Sequence, residues 1–282
     1  MPRLLLLFSS LLFLLTNIHG QENKSWTLPS GDYMKQLIHS MQRGESDASR
    51  FKAGIEFDST IHSFLLNDSM MLQPTSFAPN ISCVQPSDQS WRLLTWIIPS
   101  YEGDQYFYFG YLQKKGNDQT GHQLYRLSDS TSVIRKPESE KLTPDRWLGA
   151  TYYEVIPNRR KGKSFYTLCG WKGEDKKVTQ KVIEVLYFDK AGAKFGMPVF
   201  KKQGVFKSRI IFSFTSQASM SLRYESSKKA IVFDHLYLPK QNGVADPSQA
   251  GPDGSYDGYK FKRGSWIWIE DIKMKVKVNS RH

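Results

Sequence analysis

RIIFSFT (Arg209–Thr215), SMSLRYE (Ser219–Glu225) and AIVFDHLYL (Ala230–Leu238) follow one another with only short polar turns between them. Each run is rich in branched and aromatic residues, is too short for a stable helix and is bounded by Ser, Gln or Lys. That is the pattern of consecutive antiparallel strands. Parallel pairing would need a crossover of about a dozen residues between each pair, and the turns are far shorter.

The same texture continues upstream and downstream. ATYYEVI (Ala150–Ile156) and SFYTLCGW (Ser164–Trp171) flank the basic tip PNRRKGK, and KVIEVLYF (Lys181–Phe188) follows. WRLLTWII (Trp91–Ile98) and QYFYFGYLQ (Gln105–Gln113), separated by Pro99 and Gly103, read as a hairpin. In IKMKVKV (Ile272–Val278) the apolar residues share one face and three lysines the other, which predicts a half-buried strand. The expectation is a mainly β protein, an antiparallel meander sheet or sheets over residues 81–282. No fixed-period repeat decides among sandwich, barrel and propeller.

The N-terminal part reads differently. Ser30 can cap a helix that carries Tyr33, Leu37 and Met41 at four-residue steps, and Ile61, Phe64 and Leu65 form a second apolar stripe. Pro74 and Pro79 mark the connection to the strands, so residues 21–80 are expected to hold a small α-helical segment. Residues 1–20 are expected to be a signal peptide: Arg3 precedes an apolar run from Leu4 to Leu15 that is short for a membrane span, and Gly20 offers a small residue at the cut. No later run is long and apolar enough for a transmembrane segment in the mature chain. A hydrophobic content of 39% with 13% aromatic residues suffices for a sizeable core.

Charge is unevenly spread. Residues 21–145 carry 12 Lys and Arg against 15 Asp and Glu, whereas residues 146–282 carry 26 against 12. The basic half could favour an anionic partner, but its lysines are scattered over many turns and form no compact tract, so no nucleic-acid partner is expected. Cys83 and Cys169 can be a bridged pair in an oxidising compartment or two packed thiols.

Three long stretches, GKSFYTLCGWKGEDKKVTQKVIEVLYFDKAGAKFGMPVF, RIIFSFTSQASMSLRYESSKKAIVFDHLYLP and GPDGSYDGYKFKRGSWIWIEDI, resemble the consecutive signatures of a family of exported proteins of Gram-negative bacteria, and SDQSWRLLTWIIP resembles its middle segment. The resemblance covers most of the chain after residue 20. It implies a place in the periplasm or at the outer-membrane periphery and brings no activity, cofactor or catalytic residue. A bacterial origin also argues against reading Asn23, Asn67 and Asn80 as glycosylation acceptors.

Few residues suggest chemistry. In GPDGSYDGYKF, Asp253, Ser255 and Asp257 alternate and Gly258 follows, as in the first half of a calcium loop; position 12 is Gly264, so the closing carboxylate would have to come from Asp246 or Asp234. The plainer reading is a run of turns shaped by Pro252, Gly254 and Gly258. Calcium is the single cofactor candidate. Asp234 shares its expected strand face with Val232 and Leu236, which makes it a candidate buried carboxylate, while adjacent His235 should point the other way. Trp266 and Trp268 lie on one strand face and offer either a sugar-stacking platform or core packing. GKS at Gly162–Ser164 lacks the earlier glycine of a phosphate-binding loop, and no zinc or serine-hydrolase signature occurs.

Three functions remain open: a noncatalytic envelope protein that binds or scaffolds another component, a glycan-binding module with or without calcium, and a hydrolase built on carboxylates near Asp234.

Overall fold

The computed structural model describes residues 31–66, 81–116, 121–241 and 243–273. The expected signal peptide, Ser30, Pro74, Pro79 and the three asparagines named above lie outside them. Two helices come first, α1 (Gly31–Arg43) and α2 (Asp47–Leu65). Met34, Leu37, Ile38 and Met41 of α1 are buried, as are Phe57, Ile61, Phe64 and Leu65 of α2. The second helix starts at Ser46, which exchanges hydrogen bonds with Ser49 in a capping box, a signal the stripe alone does not give. Arg50, 9% exposed, ties the helices to the sheet below by donating to the carbonyls of Gly44, Pro99 and Ser100.

Strands β1 (Ser82–Val84), β2 (Trp91–Pro99), β3 (Tyr106–Lys114) and β4 (Gln123–Ser128) form an antiparallel sheet in sequence order. The expected hairpin is β2–β3, in register from Trp91 opposite Lys114 to Pro99 opposite Tyr106. Along β2 the side chains alternate between two cores. Leu94, Trp96 and Ile98 meet the helices, whereas Trp91 and Leu93 face the opposite way.

The second sheet contains β5 (Thr151–Arg160), β6 (Lys163–Gly173) and β7 (Val178–Asp189) in meander order, with β8 (Gly192–Phe195) and β11 (Ile210–Thr215) both paired to β7. GKS lies at the tip of the β5–β6 hairpin, where Lys161 and Gly162 both have positive φ, the geometry of a two-residue turn. This sheet is covered on both sides. Leu168 and Leu186 pack against the first sheet, and Cys169, Ile183 and Val185 against the third.

The third sheet runs β10 (Val205–Lys207), β9 (Phe200–Lys202), β17 (Ser265–Ile269), β16 (Gly251–Lys262), β13 (Ala230–Tyr237), β12 (Leu222–Glu225). Its pairings are antiparallel except β17 with β9. A small separate hairpin joins β14 (Lys240–Gln241) to β15 (Val244–Ala245). The architecture is therefore a stack of open sheets under a helical hairpin, and among the described residues no sheet closes into a barrel. Antiparallel pairing and the N-terminal helices agree with the sequence. The chain passes between these sheets more than once, from the middle sheet to the third after β8, back at β11 and out again to β12.

The strand expected over 272–278 falls mostly outside the described residues. Its first two, Ile272 and Lys273, are not in a strand. The Ile272 amide donates to the Tyr256 carbonyl, and its side chain lies against Gly258, where a Cβ would come within 2.5 Å of both Ile272 Cδ1 and the Ile231 carbonyl oxygen. Cys83 belongs to the first sheet and Cys169 to the second, and they are not joined by a disulfide.

A His–Asp pair at an aromatic groove

A bulge in β13 positions the site. Pairing with β16 is regular from Ala230 opposite Lys260 to Asp234 opposite Tyr256, then shifts between Asp234 and Leu236. Ile231, Phe233 and Leu236 all pack into the core between the second and third sheets, so the strand changes phase by one residue at His235. The shared face expected for Asp234 and Leu236 is thereby corrected.

Asp257 stands opposite Phe233 on β16 and its side chain is only 6% exposed. Its Oδ2 lies 2.7 Å from His235 Nδ1, and its Oδ1 accepts the Asp271 amide at 3.2 Å. The other ring nitrogen of His235, Nε2, is 4.0 Å from Asp253 Oδ2. The imidazole, half exposed, thus stands between two carboxylates of β16. Asp253 also accepts the Ser255 amide at 2.9 Å and the Ser255 hydroxyl at 2.7 Å. These bonds, with His235 adding to them, hold its carboxyl below the ordinary carboxylate value. Asp234 is partly buried and takes the Ser221 amide on Oδ2 at 2.7 Å, which ties β13 to the segment before β12.

The aromatic wall is built by cross-strand pairs. Trp268 is opposite Tyr259, with ring centroids 5.2 Å apart in an edge-on arrangement, and Phe233 lies 5.4 Å from Trp268. Burial pushes the Tyr259 phenol up. Lys202 Nζ sits 3.4 Å from the centre of the Trp268 ring. Together with β11 and the Lys207–Glu138 ion pair, these residues enclose a groove of about 530 Å³.

The structure brings Asp234, Asp257 and Trp268 to this groove together with His235. It does not bring Trp266, which is 1% exposed and donates its indole N–H to Thr167 Oγ1 at 2.9 Å inside the core. Both tryptophans do share one strand face, but Trp266 lies deep between the sheets and does not line this groove. Asp253, Ser255 and Asp257 do not converge as a calcium loop requires: the first two bond each other and the third is turned to His235 and Asp271. Among the described residues no three His, Cys, Asp or Glu side chains gather to hold a metal ion. As placed, this set does not make the six to eight oxygens of a calcium shell.

The His235–Asp257 pair is a relationship across strands, 22 residues apart, which the adjacent Asp–His dipeptide does not suggest. Three further buried charges, Glu184, Arg209 and Lys172, escape a linear reading. Glu184 and Arg209 have no exposed side-chain surface, and Arg209 Nε lies 2.6 Å from Glu184 Oε2. Burial pushes the Glu184 carboxyl up and Arg209 opposes it. Arg209 also donates to the carbonyls of Pro137 and Glu140, so the pair pins the 137–140 loop against the middle sheet. Lys172, 5% exposed, lies 4.6 Å above the Tyr108 ring and donates to Thr131 Oγ1, and burial lowers its ammonium pKa.

Comparison with protein-family models, curated proteins and solved structures finds no match.

Proposed function

We propose that this chain is an exported, noncatalytic binding protein of the cell envelope, and that the groove beside Trp268 seats a glycan. The leucine-rich residues 4–15 and the resemblance to exported proteins support the location. The observation that carries the binding reading is the groove itself, where one indole wall stands beside Asp234 and His235. Sugars are bound by this combination, an apolar ring face stacked on an aromatic plane and hydroxyls met by fixed polar groups. Lys202 covers the indole, so a stacked sugar takes its place and accepts hydrogen bonds from the displaced ammonium.

A glycan array followed by calorimetry tests this. Trp268→Ala should weaken the best binder at least about tenfold, in line with the loss of a buried aromatic contact, and an array without a saturable binder overturns the reading. One observation favours hydrolysis as a second reading: a buried carboxylate orients His235 as it would orient a general base. If His235→Asn abolishes cleavage of a bound glycan and leaves its affinity intact, the protein is an enzyme.

A further inference from the structure

A second concave surface shares no lining residue with the groove. It is a cleft of about 1220 Å³ between the tip of the β5–β6 hairpin, the β7–β8 turn and the segment at Met197–Pro198. That volume exceeds the roughly 300–1,000 Å³ usual for small-molecule sites. Five cations from three separate stretches of chain stand around it: Lys141, Arg160, Lys161, Lys163 and Lys190. The lining contains one carboxylate, Asp189, and that group is occupied in the turn, accepting the Ala191 amide at 2.8 Å.

None of the five cations makes an ion pair among the described residues. Elsewhere in the basic half, Arg146, Lys207 and Arg209 do find carboxylates. The interior of the cleft is of a different character. On the face of the middle sheet turned to the third, Phe165 is buried and Tyr187 and Met197 are half-buried, and on the opposite face Tyr166 and Phe188 are half-buried, so the apolar surface of the cleft wraps the end of the middle sheet. A sixth cation, Lys114, stands 4.8 Å from the Phe188 ring.

A cationic rim over an apolar floor selects its occupant. A free inorganic anion gains nothing from the floor, and a polysaccharide finds few fixed polar groups there. An amphiphile with an anionic head satisfies both, its head among the lysines and its chain against Tyr187 and Met197, which lie on one face of the middle sheet. We propose that this cleft binds an anionic lipid, one molecule per chain.

The test uses the full chain and phosphatidylglycerol, both as a short-chain monomer in calorimetry and in vesicles, with phosphatidylcholine as the neutral counterpart. Glycerol phosphate and polygalacturonate serve as competitors. Expected are saturable one-to-one binding of the monomer, no binding of phosphatidylcholine, and no displacement by either competitor. The exposed pair Lys163→Glu and Lys190→Glu should weaken binding about tenfold or more, since each basic residue near an anionic surface contributes about 1 kcal/mol, roughly fivefold. Lys52→Glu with Lys177→Glu, the same charge change placed on α2 and just before the far end of β7, should leave it within about twofold. The proposal is overturned if both pairs weaken binding equally, if the monomer fails to bind, or if polygalacturonate displaces the lipid, which would assign the cleft to an acidic glycan.

Discussion

His235 Nδ1 and Asp257 Oδ2 meet at 2.7 Å because a bulge in one strand delivers the imidazole to a carboxylate on the next. Asp257 is the anchor of the pair, since it is nearly buried and also holds the Asp271 amide. Asp257→Ala leaves both partners unmet and should cost about 1–3 kcal/mol in urea unfolding. His235→Ala, at a half-exposed position, should cost less. Equal losses would mean that the pair contributes through packing alone.

Glu184 and Arg209 should behave as a unit. Removing either partner strands a buried charge, so Glu184→Leu and Arg209→Met are each expected to destabilise by about 3–5 kcal/mol. The double variant should lose much less than the two losses combined, because no uncompensated charge remains. A chemical-denaturation cycle measures the coupling, and additive losses would refute it.

Acid should destabilise the fold through carboxylates held by local bonds. The Lys136 amide, then Arg146, lowers the Glu140 carboxyl below its ordinary 4.5, and Ser248 lowers Asp246 below 3.8. A carboxyl with a depressed folded value adds stability that is fully present above the unfolded value and is lost as pH falls through the folded one. Melting temperature should therefore fall with pH below the ordinary carboxylate range. Glu140→Gln should make that fall shallower, and an unchanged slope would assign the acid limb to other groups.

Gly258 has no room for a side chain. A methyl there would meet the Ile231 carbonyl and Ile272 Cδ1 at 2.5 Å, so Gly258→Ala should cost about 1–3 kcal/mol. Ile272→Ala should recover part of the loss by removing one of the two obstacles. No recovery would place the whole clash at the strand backbone.

The helices were legible because Leu37, Met41, Ile61, Phe64 and Leu65 recur at helical spacing, and all five are buried. Strand identity was equally plain in the branched and aromatic run WRLLTWII, yet such a run alone cannot tell that each face of β2 meets a different core. The passage from β11 to β12 carries no mark of a change of sheet, since a turn within a sheet and a turn between stacked sheets use the same polar residues. Trp266 and Trp268 could be placed on one face. Their different depths depend on where the strand leaves the sandwich, which spacing does not encode. The His235–Asp257 pair needed both the bulge and the register of β13 on β16, which is set across the connection from Leu238 to Ala250. The five cations of the cleft converge from three distant segments, and a linear charge count places four of them in the basic half and Lys141 in the acidic one.

The middle sheet owes its packing to neighbours on both sides, so neither half of the molecule can come apart without exposing apolar strand to water. Backbone amides of β6 and β7 should accordingly be the last to take up deuterium, with protection set by global opening, while those of α1 exchange by fraying. One layer acting as a common wall makes a long chain melt as a single cooperative body.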